Sequence, residues 1–163
     1  MASFQVNGLP AELFSDWFDL SDEALARRGA RRMVVTEKPG FPCRVSLADA
    51  EVGETVLLVP FVHHDVPSPY RAAGPIFVRQ GVDRARPGRD DVPEMLRRRL
   101  LSVRAYDAAA MMVSADVVEG VDLAQEMSRL FEVGTVAYVH VHNARPGCFN
   151  CRVDRAAAGG PAR

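Results

Sequence analysis

The sequence predicts an α+β fold: a single domain built on a mainly antiparallel β-sheet with a few short helices. Three observations lead there. Apolar or alternating runs of strand length outnumber segments with helical periodicity. Most sequential runs are joined by connections too short for the crossover that parallel strands require. A chain of 163 residues, 48% hydrophobic and 25% charged, suits one soluble domain with a sizeable core. The domain is expected over residues 1–155, and the closing AAAGGPAR, residues 156–163, reads as a disordered tail.

The elements follow in chain order. Pro10–Phe18 reads as a short helix burying Leu13 and Trp17 one turn apart. Leu20–Gly29 carries full helix signals: Ser21 to cap, Leu20 and Leu25 at the staple positions, Asp22 and Glu23 at the positive end, and Arg27, Arg28 and Gly29 to close. Met33–Thr36 is the first strand. Phe41–Leu47 alternates apolar and polar residues as a second, and Thr55–Phe61 is almost continuously apolar, as in a sheet covered on both faces. Val62–Pro75 reads as a loop because of Pro67, Pro69, Gly74 and Pro75, with Ile76–Gln80 returning as a strand. Gly81–Asp91 is a charged excursion, and Pro93 opens a short helix ending near Arg99. Leu100–Tyr106 and Met111–Val118 are antiparallel strands joined through Asp107–Ala110. Val121–Phe131 is a helix with Leu123, Met127, Leu130 and Phe131 on one face. Thr135–His142 and Phe149–Val153 are the last two strands.

Composition excludes several classes of function. A formal charge of -1 gives no net attraction to nucleic acid or to anionic lipid, and no apolar run reaches the ~18 residues of a membrane span. All the basic residues but Lys38 are arginine, a bias that fits a GC-rich bacterial genome better than a recognition code, since the net charge is near zero. MASFQVNGLPAELF lacks the basic and apolar regions of a secretory signal, so a cytoplasmic location is expected. Three cysteines cannot close a disulfide set and read as thiols, ligands or core fillers.

The most informative stretch is AYVHVHNARPGCFNCRV, Ala137–Val153. On a strand, Tyr138, His140 and His142 share one face, and Ala137, Val139 and Val141 share the other. The apolar face is expected to be buried, leaving the imidazoles toward a cleft or solvent beside a donor-rich turn. His140 and His142 are candidate acid–base residues, and Cys148, near Arg145 and Arg152, is a candidate nucleophile. His140, His142, Cys148 and Cys151 also form a Cys2His2 set that would suit zinc. An extended Cys148–Val153 puts Cys151 with Phe149 and Val153 toward the core, so no metal and no cofactor are expected. A second constellation, His63, His64, Asp65, Ser68, Tyr70 and Arg71, lies on the proline-stiffened loop. Tyr70, Arg71, Asn143 and Arg145 are the candidate ligand-binding residues, the two arginines able to grip a carboxylate or phosphate. Arg71 paired to Asp65 would only brace its loop.

The strings SPYRAAGPIFVRQ and HVHNARPGCFNCRV, with support from FPCRVSL, LRRRLLSVRAYDA and MMVSADVVEG, resemble the bacterial domain-of-unknown-function family 1203. The likeness runs from Phe4 to about Arg155. It implies a single-domain bacterial protein and brings no activity, cofactor or catalytic residue with it. The residues themselves point to a small anionic or polar metabolite held in a pocket between the 62–75 loop and the 140–148 turn, with or without catalysis. The alternatives are a non-catalytic binding module, a structural homodimer joined through exposed strand edges and the 121–131 helix, and a zinc protein through the Cys2His2 set.

Overall fold

Two antiparallel sheets and three short α-helices make up the computed structural model, which describes residues 1–157. The tail expected at 156–163 lies almost wholly outside the described residues. A five-stranded sheet has the order β1 (Phe4–Asn7), β8 (Phe149–Arg155), β7 (Tyr138–Asn143), β5 (Leu100–Tyr106) and β6 (Met112–Glu119). A three-stranded sheet has the order β2 (Arg31–Val34), β3 (Thr55–His64) and β4 (Ala72–Arg79). Every strand pair within the sheets is antiparallel, as the short connections require.

Each sheet has its own apolar core. Helix α3 (Leu123–Glu132) lays Leu123, Met127, Leu130 and Phe131 on the five-stranded sheet, where they meet Leu101 and Val103 of β5, Val139 and Val141 of β7, and Cys151 and Val153 of β8. Helix α1 (Asp22–Arg27) starts where Ser21 Oγ accepts from the Ala24 amide at 3.1 Å. Gly29 ends it at φ +74°, a left-handed conformation that glycine adopts without a Cβ clash. Leu25 of this helix packs with Leu57, Val59, Ile76 and Val78 of the smaller sheet. Helix α2 (Glu94–Arg97) precedes β5, and Gly120, at the start of a 3-10 turn, passes against its backbone. No helix among the described residues is long and apolar enough to cross a membrane.

Several boundaries differ from those the sequence suggests. β1 carries no strand signal strong enough to be read, yet it pairs along β8 from Phe4 to Asn7. Pro10–Phe18 forms two 3-10 turns instead of one helix, burying Phe14 and leaving Leu13 exposed. The 41–47 segment is not a strand and its burial does not alternate, since Phe41 to Val45 are all buried. It is a turn with isolated bridges at Pro42 and Cys43, in which the chain bonds back on itself, the Cys43 amide donating to the Ala48 carbonyl and the Ala50 amide to the Phe41 carbonyl, while buried Arg44 donates to the carbonyls of Phe149 and Pro42. The largest difference is at 62–75, where β3 runs on through His64 and β4 begins at Ala72. Proline is tolerated there: the Phe77 carbonyl bonds outward to the Arg44 amide, so Phe77–Leu58 and, two residues on, Pro75–Pro60 are positions where the strands exchange no hydrogen bonds and a missing N–H leaves no cross-strand carbonyl waiting.

Candidate functional site

Four histidines meet between the two sheets. Val139 and Val141 of β7 enter the α3 core, so the alternating Tyr138, His140 and His142 point the other way. That polar face is not open to solvent as the sequence suggests. It is covered by β3 of the smaller sheet, and His140 and His142 are only 2% and 1% exposed.

Two bulges complete the cluster. Phe61 pairs with Gly74 and His64 with Ala72, so β3 carries one more residue than β4 over this stretch. The irregularity turns two consecutive side chains toward β7: the rings of His63 and His64 lie 6.1 Å and 4.8 Å from that of His140. On β8, Val141 pairs with Cys151 but His142 with Phe149, which leaves Asn150 as the extra residue. Phe149 and Cys151 therefore face opposite ways, correcting the common face expected for them. Cys151 lies in the α3 core, whereas Phe149 stacks on His63 at 5.1 Å with planes 6° apart.

His64 is held at both ends. Its Nδ1 is 2.7 Å from the Tyr70 carbonyl, which can only accept, so the proton sits there; its Nε2 is 2.7 Å from the Tyr138 hydroxyl. The other three histidines are not satisfied in this way. His142 Nδ1–H donates to the Gly147 carbonyl at 2.9 Å, leaving the Nε2 lone pair free. The buried Nε2 of His142, Nδ1 of His63 and Nδ1 of His140 have no hydrogen-bond partner. One ring nitrogen from each of these residues lies within 4.8 Å of the other two, and among the described residues no cysteine or carboxylate joins them.

Electrostatics keeps these rings neutral. Burial lowers His140 to about 2, and His63 and His142 to about 4, from an ordinary value of 6.5. The fixed charges that act on them, Arg104, Arg152 and Arg44, are all positive and push the same way. Neutral imidazole is the metal-binding form. Values this low suit a ligand better than a proton shuttle working near neutral pH.

The remaining candidates are dispersed around this centre. Tyr70 reaches it through its carbonyl on His64, with its ring 5.9 Å from Tyr106. Arg71 is exposed and pairs with Asp65 at 3.1 Å, bracing the loop. Asn143 accepts at 2.7 Å from the amide of bulged Asn150. Arg145 lines a surface groove with Arg98, Arg99 and Pro146. Cys148, half-buried, sits on the turn beside Arg44. His63 enters the sequence reading only as a member of the 63–71 constellation, with no ligand or catalytic role, and Arg104 does not enter it. His63 stands in a segment that reads as loop, and nothing in Leu100–Tyr106 signals that Arg104 faces the histidines.

Fold and site define an antiparallel α+β protein with a buried histidine cluster between two sheets. Residues 40–155 match the family described as protein of unknown function (DUF1203), and the chain belongs to that family. No curated protein and no solved structure gives a significant match.

Proposed function

We propose that this protein binds one divalent transition-metal ion, of the zinc class, through His63, His140 and His142, and that the open side of the ion receives a small polar or anionic metabolite. The observation that carries the reading is the convergence of three neutral imidazoles, His140 and His142 buried and His63 half-buried, each with an unpaired buried ring nitrogen. An unsatisfied buried polar atom costs roughly 1–3 kcal/mol, so three together call for a partner that the protein alone does not supply. Zinc–nitrogen bonds of ~2.0–2.1 Å in a tetrahedral site put ligand nitrogens about 3.3 Å apart, so ring nitrogens now within 4.8 Å of one another need close by about 1.5 Å at most. The bond from His142 to Gly147 is the outer contact that fixes a ligating tautomer.

Three nitrogen ligands with a vacant fourth position are the catalytic form of a zinc site, which polarises a bound oxygen or lowers the pKa of bound water to about 7. This reading departs from the metal-free expectation, which rested on Cys148 and Cys151 as the partners of His140 and His142 and left His63 in a loop. Elemental analysis tests it. After dialysis against zinc and then buffer, the protein should hold about one zinc per chain, Cys148→Ser should hold as much, and His63→Ala should hold almost none. A zinc-free wild-type protein, or full occupancy in His63→Ala, overturns the proposal.

A further inference from the structure

Among the described residues two arginines beside the histidines have no acid, Arg44 and Arg104; buried Arg44 spends its donors on the carbonyls of Phe149 and Pro42, and Arg104 has no such partner. On β5 it stands directly across from His140, and Ser102 across from His142, so both project from the face that carries the cluster. Its side chain is half-buried. Among the described residues its side chain makes only one hydrogen bond, from Nε to Ser102 Oγ at 3.4 Å, and no carboxylate pairs with it. The contrast with neighbouring arginines is informative. Arg152, which covers the Tyr138 ring, is paired with Asp154, and Arg99 is paired with Asp49. A half-buried guanidinium with five donors and one weak contact is poorly compensated.

Resting on the metal reading, we infer that Arg104 is the anion grip of this site: the metabolite presents an oxyanion group, carboxylate or phosphate, that binds the metal with one oxygen and the Arg104 guanidinium with another. Charge balance supports the class of ligand. Three neutral imidazoles leave a bound dication uncompensated, Arg104 adds a further positive charge, and no carboxylate joins the three histidines. An oxyanion answers both, and the planar guanidinium fork suits two parallel bonds to it. A neutral ligand would leave both charges unanswered in a site that excludes most water.

Cobalt(II) gives the test a colour. The protein is first loaded with cobalt(II) and its stoichiometry measured, then titrated with acetate and with inorganic phosphate while the visible cobalt spectrum is followed. At least one of the two anions should perturb the spectrum saturably, and the tighter of them identifies the oxyanion class. Arg104→Met should bind cobalt as well as the wild-type protein and that anion roughly 10- to 100-fold more weakly, the worth of one charge-assisted pair. Arg104→Lys, which keeps the charge and loses the fork, should fall between the two and covers the case in which Arg104→Met does not fold. A protein that binds no cobalt overturns the metal reading and this inference with it. A cobalt-loaded protein indifferent to both anions, or variants that bind them as tightly as the wild type, overturns the inference and leaves the metal reading standing.

Discussion

Acid should unfold the metal-free protein through its histidines, and His142 permits the size of the effect to be worked out. In the unfolded chain an imidazole titrates near 6.5, whereas burial holds His142 at about 4 in the fold. The unfolded state thus binds more protons between these values. The stability contributed by keeping His142 neutral is fully present above pH 6.5 and is lost as the pH falls toward 4. Between pH 7 and pH 5 this difference amounts to about 2 kcal/mol for His142 alone, a large share of the stability of an ordinary domain. His63 and His140 shift in the same direction and steepen the fall. The perturbation is His142→Asn, whose amide does not titrate and can still donate to the Gly147 carbonyl that Nδ1 now meets. Urea unfolding in the presence of a chelator, at pH 7 and pH 5, should show the wild-type protein losing about 2 kcal/mol more than the variant. Parallel losses in the two proteins would mean that His142 has the same proton affinity folded and unfolded, against the depressed value that burial gives it.

Other outcomes follow from the packing. A thiol reagent should modify Cys148 well before Cys43 and Cys151 under native conditions, since the last two are 0% and 1% exposed and burial pushes the Cys151 thiol up to about 12; mass spectrometry after partial labelling gives the order. Cys151→Ala should cost roughly 1–3 kcal/mol in urea unfolding by opening a gap in the α3 core. Gly120→Ala should destabilise by about 1–3 kcal/mol or more, because its Cβ would stand 1.9 Å from the Leu96 carbonyl oxygen and 2.8 Å from the Arg97 backbone. Zinc at a hundredfold excess over its Kd should add about 2.7 kcal/mol and raise Tm by roughly 5–10 °C in wild type, and should leave His140→Ala unmoved.

The fold class was legible because β5, α3 and α1 are locally consistent: period, caps and boundaries all agree in Leu100–Tyr106, in Leu123–Phe131 and around Ser21. The short edge strand β1 was not, since Phe4–Asn7 owes its conformation to pairing with β8 and carries little pattern of its own. Half of the site could be read. The alternation of Tyr138, His140 and His142 against Val139 and Val141 is correct, but a polar face covered by a second sheet has the same sequence pattern as one covered by water. His63 was noticed on its loop, and its place beside His140 and His142 was hidden for a different reason. The prolines and glycine of 60–75 signal turns, and only the pairing of β3 with β4 shows that the strand continues through a bulge to His64. Bulges defeat a period-two reading in general, and the one at Asn150 sent Phe149 to the histidines and Cys151 to the core.

In the proposed site three imidazoles, and no thiol, hold a metal ion between the sheets. X-ray absorption at the zinc edge of the zinc-loaded protein measures this directly, because nitrogen and sulfur ligands scatter at different distances. The expected spectrum has a shell of nitrogen or oxygen at ~2.0–2.1 Å with the imidazole signature of His63, His140 and His142, and no sulfur. A sulfur shell at ~2.3 Å would place Cys148 or Cys151 on the metal and contradict it.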